Sequence, residues 1–101
     1  MSRVQTASFD FNGKKYSGVS VSLGRAPLLL ISSDEHPSCY LACGYWSIDT
    51  SNHLGDCTAI ARGVHNFEAL LHAEVKELSV EARRRGAKIG MDAREFLEKM
   101  G

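Results

Sequence analysis

The chain has 101 residues, and its 12 lysines and arginines are matched by 12 aspartates and glutamates, so the formal net charge is zero. That balance excludes a bulk polyanion binder. A hydrophobic content of 44% excludes a disordered chain and fits one small domain with a single core. The longest apolar run, residues 26–31, contains Pro27 and is too short to span a bilayer. Residues 1–6 carry no apolar signal-peptide core, and the three cysteines are an odd number. The expectation is a cytoplasmic protein with reduced thiols and no membrane contact.

Residues 4–23 read as a β-hairpin. Ser8-Phe9-Asp10-Phe11 alternates polar and apolar, and Asn12-Gly13 supplies the positive φ angles of a type I′ turn. The return strand alternates as well, but Gly18 shifts the phase between Tyr16 and the set Val19, Val21 and Leu23, which predicts a bulge. Residues 28–32 are apolar on both faces and suit a central strand. Residues 38–43 and 57–62 read as further strands. Between them, Asp49 is a candidate cap for a short helix that Gly55 stops.

Asn66 reads as the next helix cap. No glycine or proline follows until Gly86, and Leu71, Val75, Leu78 and Ala82 form a stripe at helical spacing. Pattern alone allows one helix over residues 67–85, with its weak point at His72-Ala73-Glu74. Asp92 and Glu95 then form a capping box, and Met91 and Phe96 a hydrophobic staple, for a last helix. Strands first and helices later predict an α+β domain. The expected fold is a mostly antiparallel sheet of four to five strands with three helices, chiefly C-terminal, packed on one face.

The C-terminal half resembles the YunC-like family, small bacterial and archaeal proteins classed as a domain of unknown function. The likeness rests on Ala61-Arg62-Gly63-Val64, Phe67-Glu68-Ala69-Leu70-Leu71, and Ile89-Gly90-Met91 with Arg94, Glu95 and Leu97. Tyr40-Leu41-Ala42-Cys43-Gly44-Tyr45 is similar to the family's hydrophobic strand end. The resemblance implies a fold and no activity. It also implies that residues 67–85 are a short helix, a break near residues 72–74, and a second helix to Arg85.

Several residues are candidates for chemistry. Cys39, Cys43, His53 and Cys57 include ligand types that suit zinc, but the spacing lacks a tight C-x2-C pair, and Cys39 and Cys43 share a face of one predicted strand while well separated along it, so buried thiols and no metal are expected. Cys43 beside Gly44 at a strand end is a candidate nucleophile, with His36, His53, His65 and His72 as candidate bases. Tyr45 and Trp46 read either as core or as exposed anchors for a second subunit, and Gly44, Tyr45 and Trp46 are candidate binding residues. Arg83-Arg84-Arg85 complements the negative end of a helix, with Glu81 pairing Arg85. Arg94 is a candidate binding or interface arginine. No paired acids, triad or phosphate loop stands out, and no cofactor or nucleic-acid partner is expected. The first functional expectation is a self-associating module that binds a small molecule or a protein. The rival is a cysteine-dependent enzyme with Cys43 at a subunit interface.

Overall fold

Alternating apolar residues and an Asn-Gly turn build the first part of the sheet. In the computed structural model, which describes residues 3–101, β1 (Val4–Phe11) and β2 (Lys14–Leu23) pair antiparallel. They are joined at Asn12 and Gly13, both at positive φ (56° and 70°) as a type I′ turn requires. β3 (Ala26–Ser33) and β4 (Cys39–Ala42) continue the antiparallel run. Residues 43–56 then cross the sheet through α1 (Ile48–Leu54), which brings β5 (Cys57–Ile60) in parallel to β4. β6 (Glu77–Leu78) adds antiparallel to β5. The spatial order equals the chain order, β1-β2-β3-β4-β5-β6.

The remaining helices are α2 (Phe67–Leu71), α3 (Val80–Arg84) and α4 (Ala93–Met100). The fold is α+β as expected. It corrects the expectation in detail, with a mixed six-stranded sheet and four helices among the described residues. Helices also lie on both faces. Leu29, Ile31, Cys39, Leu41, Cys57 and Ala59 point to one side, where they join Leu70, Val75, Ala82, Phe96 and Leu97 in the main core. Tyr40 points the other way and bonds to Ser51 of α1.

Gly18 does not form a bulge. Register is unbroken on both sides of β2, from Phe11↔Lys14 to Val4↔Val21 and from Leu23↔Ala26 to Tyr16↔Ser33. The glycine is needed for space instead. A Cβ there would stand 2.8 Å from a Phe67 ring carbon and 3.0 Å from one of Phe9. The phase shift in the sequence has a different origin: Tyr16 and Gly18 serve the helix-covered face, whereas Val19 and Val21 serve the opposite one.

Residues 67–85 are not one helix. The break implied by the resemblance is present, and the second helix is shorter than expected because it starts only after Ser79. Backbone accounting explains this. Lys76 N–H donates to Ile60 O at 2.8 Å and Ser79 N–H to Thr58 O at 2.9 Å, which pairs the outer edge of β5. A continuous helix would leave that edge unpaired. Val75 and Leu78 are still buried, but from extended chain, and Ser79 Oγ caps α3 by accepting from Ala82 N–H.

The expected caps hold at Asn66, which accepts from Ala69 N–H at 2.7 Å, and at Asp92, which accepts from Arg94 N–H at 2.8 Å and Glu95 N–H at 3.5 Å. Glu95 does not complete the box; its carboxylate lies 3.7 Å from Lys99 Nζ. Ser47, not Asp49, occupies the cap position of α1, without a side-chain hydrogen bond. Gly55 ends that helix at φ 76° as expected.

Gly18→Ala is expected to destabilise the domain by about 1–3 kcal/mol, the usual cost of overpacking. Urea denaturation checks this, and Phe67→Leu in the same chain should restore part of the loss. An unchanged midpoint for Gly18→Ala alone would mean the ring moves aside freely.

Candidate functional site

The crossover from β4 to β5 shapes the most prominent concavity. A groove of about 750 Å³ lies where α1 flanks the sheet face opposite the main core. Its floor is Ser17, Val19, Leu30 and Ser32 of β2 and β3, its outer rim is Thr6, Ala7 and Ser8 of β1, and its inner wall is Tyr40, Trp46, Leu54 and Asp56. The volume falls within the roughly 300–1,000 Å³ of small-molecule sites.

A directed chain of hydrogen bonds sets the inner wall. An indole N–H can only donate, so Trp46 Nε1 donates to Ser51 Oγ at 2.8 Å. Tyr40 Oη lies 2.6 Å from Asp56 Oδ2, and an ionised carboxylate only accepts, so the phenol donates there. The remaining contact, 3.0 Å between Ser51 Oγ and Tyr40 Oη, must then run from serine to tyrosine. Each donor polarises the next, and the chain ends on Asp56 at the groove. The Trp46 ring meets Tyr40 edge to face, with centroids 5.8 Å apart. Burial, and after it the Asp56 carboxylate, pushes the Tyr40 phenol above its ordinary value.

Cys43 and Gly44 line a second, smaller cleft of about 180 Å³ with Tyr45, Gly63, Val64 and His65. The Cys43 sulfur is nearly closed off. It accepts from Leu29 N–H at 3.3 Å and donates to Pro27 O at 3.7 Å, and the residue is only 3% exposed. His65 is exposed and lines the same cleft, so one of the four candidate bases does come near this cysteine. Tyr45 is half exposed.

The other candidates separate. Trp46 belongs to the larger groove on the opposite face. Arg94 stacks over the Phe11 ring at 4.4 Å and pairs with Glu98 at 3.0 Å, away from both concavities. Cys39 and Cys57 are direct neighbours in the parallel register and are buried. The Cys57 thiol, followed by burial, holds Cys39 well above the ordinary thiol range, while the same contact lowers Cys57. His53 is exposed on α1, on the other face of the sheet. Among the described residues, no three Cys, His, Asp or Glu side chains gather as a metal site. Glu81 pairs Arg85 at 2.8 Å, as the spacing predicts, and also Arg84 at 2.6 Å. These two arginines hold its carboxyl down to about 2.

Comparison with known proteins adds a family. Residues 42–100 match the family described as Domain of unknown function (DUF1805). The chain belongs to this family. A crystal structure of a protein of unknown function from Thermoplasma acidophilum is similar over nearly the whole length, with a TM-score of 0.88 and 36% identity. The likeness covers 97% of this chain and 93% of that one. No curated protein matches. Neither the family nor the Thermoplasma protein indicates a catalytic function. The family match starts at Ala42, so it takes in the crossover, Trp46 and Asp56 but not β1 to β3.

Sequence reasoning missed Tyr40, Ser51 and Asp56 as a group. One signal was present, because Asp56 follows a helix-stopping glycine and opens a strand, a position where a side chain reaches the start of a neighbouring strand. Tyr40→Phe leaves Asp56 without its donor and Ser51 without its acceptor, and is expected to cost about 1–3 kcal/mol in urea denaturation. The raised phenol makes a second expectation. The folded state favours the neutral form, so this contribution is present below the ordinary value of 10.0 and is lost as pH rises toward the raised one. Wild-type stability should therefore fall more steeply above pH 10 than that of Tyr40→Phe.

Proposed function

We propose that the domain is a self-associating binding module that takes a small, largely apolar molecule in the groove between β1–β3 and α1. The observation that carries this is the groove itself, with apolar walls from Val19, Leu30, Trp46 and Leu54 and a single carboxylate, Asp56, at one end. Asp56 Oδ2 is taken by Tyr40, and Oδ1 has no partner among the described residues. The chemistry fits a ligand with an apolar body and a donor or cation at its tip, and Trp46 is the anchor residue on its wall. The YunC-like resemblance and the family match agree with a fold of this kind and add no residue role. A cytoplasmic location is part of this reading; among the described residues no helix is long and apolar enough to cross a membrane.

Trp46 is the only tryptophan, so its fluorescence reports on the groove directly. Titration with phenethylamine is expected to give a saturable change. Asp56→Asn should weaken that amine on the order of tenfold, a loss of about 1.4 kcal/mol, and leave phenethyl alcohol nearly unaffected. A signal that never saturates, or an amine that binds Asp56→Asn equally well, would count against the proposal.

A second reading has one observation in its favour, His65 lining the cleft beside Cys43 and Gly44. It makes Cys43 a nucleophile with His65 as its base. Iodoacetamide labelling across pH separates the two readings, since a nucleophilic thiol reacts below neutral pH and a packed one does not. Slow labelling of Cys43, unresponsive below neutral pH, is the expected result.

A further inference from the structure

β1 is an outer edge of the sheet, and among the described residues it is weakly protected for an edge. It is eight residues long and pairs with β2 in unbroken register, so no bulge twists it away. Its sequence, Val-Gln-Thr-Ala-Ser-Phe-Asp-Phe, holds one charge and no lysine, proline or glycine. Exposed edges of monomers are normally short, charged or interrupted. The opposite edge, β6, is only two residues long.

The hydrogen-bond phase of β1 shows which groups stay open. Ser22 N–H donates to Arg3 O at 2.9 Å, so Arg3 and Ser22 form a bonded pair. Bonded and non-bonded pairs alternate in an antiparallel ladder. Residues 5, 7, 9 and 11 therefore turn their backbone groups to β2, and Thr6, Ser8 and Asp10 turn theirs outward. An outward row of alternating N–H and C=O groups is complementary to itself when a second copy runs antiparallel.

The geometry points to β1 as the surface on which two copies of this chain pair, edge to edge, about a two-fold axis at Ala7. This rests on the reading of the domain as self-associating and supplies its interface. The Ala7 register pairs residues 5–9 of the strand with the same residues of the second copy. Thr6 of one copy stands opposite Ser8 of the other, a bonded pair with hydroxyls side by side, and such pairs favour sheet association. Ala7 meets Ala7 across the axis, where small side chains let the backbones approach. The zero net charge sets no long-range repulsion against the pairing. The two sheets become one continuous sheet with both grooves on one face. Thr6 and Ser8 also form the groove's rim, so the partner's strand lies next to the ligand site.

A second copy fits this edge better than a foreign peptide. An isologous pair closes both β1 edges in one step and leaves only the two-residue β6 strands outermost, too short to template further growth. A peptide would need no match to the Thr6–Ser8 register.

The test is sedimentation of the full chain with three variants. Ser8→Pro removes an outward N–H and leaves the β2 ladder intact, which is where a strand tolerates proline. Thr6→Lys places a charge on the edge without touching the backbone. Ala7→Cys probes the axis, where non-bonded partners lie about 4.5 Å apart, inside the roughly 4.4–6.8 Å that a disulfide spans. The native cysteines are buried, so cross-linking there reports on residue 7.

The expected result is a wild-type dimer, a dimer dissociation constant raised at least tenfold by both edge variants, and a cross-linked dimer from Ala7→Cys under copper-phenanthroline oxidation. Circular dichroism confirms that the variants fold; if Ser8→Pro does not, Thr6→Lys decides. A wild-type monomer at 100 µM would sink both self-association and this interface. A dimer indifferent to the edge variants, or one that Ala7→Cys fails to cross-link, would leave self-association standing and overturn the interface alone. Open-ended growth, or a monomer that instead binds a Thr-Ala-Ser-Phe peptide, would also overturn it.

Discussion

The parallel pairing of β4 with β5 dictates where the rest of the chain goes. Both strands are buried on both faces, from Cys39 to Ala42 and from Cys57 to Ile60. Antiparallel neighbours can be joined by a tight turn, but a parallel pair needs a crossover. Residues 43–56 supply it. They leave β4 at Cys43, on the helix-covered side, carry Trp46 and α1 over the opposite face, and return through Gly55 to Asp56. The chain from Trp46 through Ser51 and Tyr40 to Asp56 ties the loop, the helix, the strand and the return point together. The bonds that hold the crossover in place are the same bonds that shape the groove wall.

Local signals were legible where they act alone. The Asn12-Gly13 turn, the Asn66 and Asp92 caps and the Gly55 stop all carry out the roles their residue types suggest. Signals that depend on partners far along the chain were not. The stripe of Leu71, Val75, Leu78 and Ala82 has helical spacing, and all but Leu71 are buried. Yet the backbone demand of β5 wins over the local preference, because unpaired Thr58 and Ile60 carbonyls in the sheet would cost more than one uninterrupted helix gains. Likewise the parallel pair and the sixth strand have no local signature. For the candidate site, Cys43, Gly44 and Tyr45 were found together because they adjoin in sequence. The link from Tyr40 to Asp56 was invisible because it is made by the crossover.

β2 shows how one strand can be amphipathic twice. Tyr16 and Gly18 face the main core at one end, and Val19 and Val21 face the groove side at the other. In sequence this resembles a slip of phase. In space it marks where the covering changes from helices on one face to the open groove on the other. Gly18 sits at that point because the Phe9 and Phe67 rings, 5.5 Å apart and nearly perpendicular, close over it.

The uneven covering has a physical cause. A domain of this size leaves a large share of its surface exposed, and its four helices are divided unevenly between the two faces of the sheet. Three helices close one face, while the seven residues of α1 lie against β4 and β5, and Val19, Val21 and Leu30 stay half covered. Edge pairing through β1 would extend the sheet without covering that face. Side chains of β1 point up and down, whereas its free backbone groups point sideways, so the two open features use different atoms of the same strand. Apolar contact on the face and backbone pairing at the edge can therefore be satisfied together. A dimer of this geometry would present two grooves to solvent, with Asp56 and Trp46 on the inner wall of each.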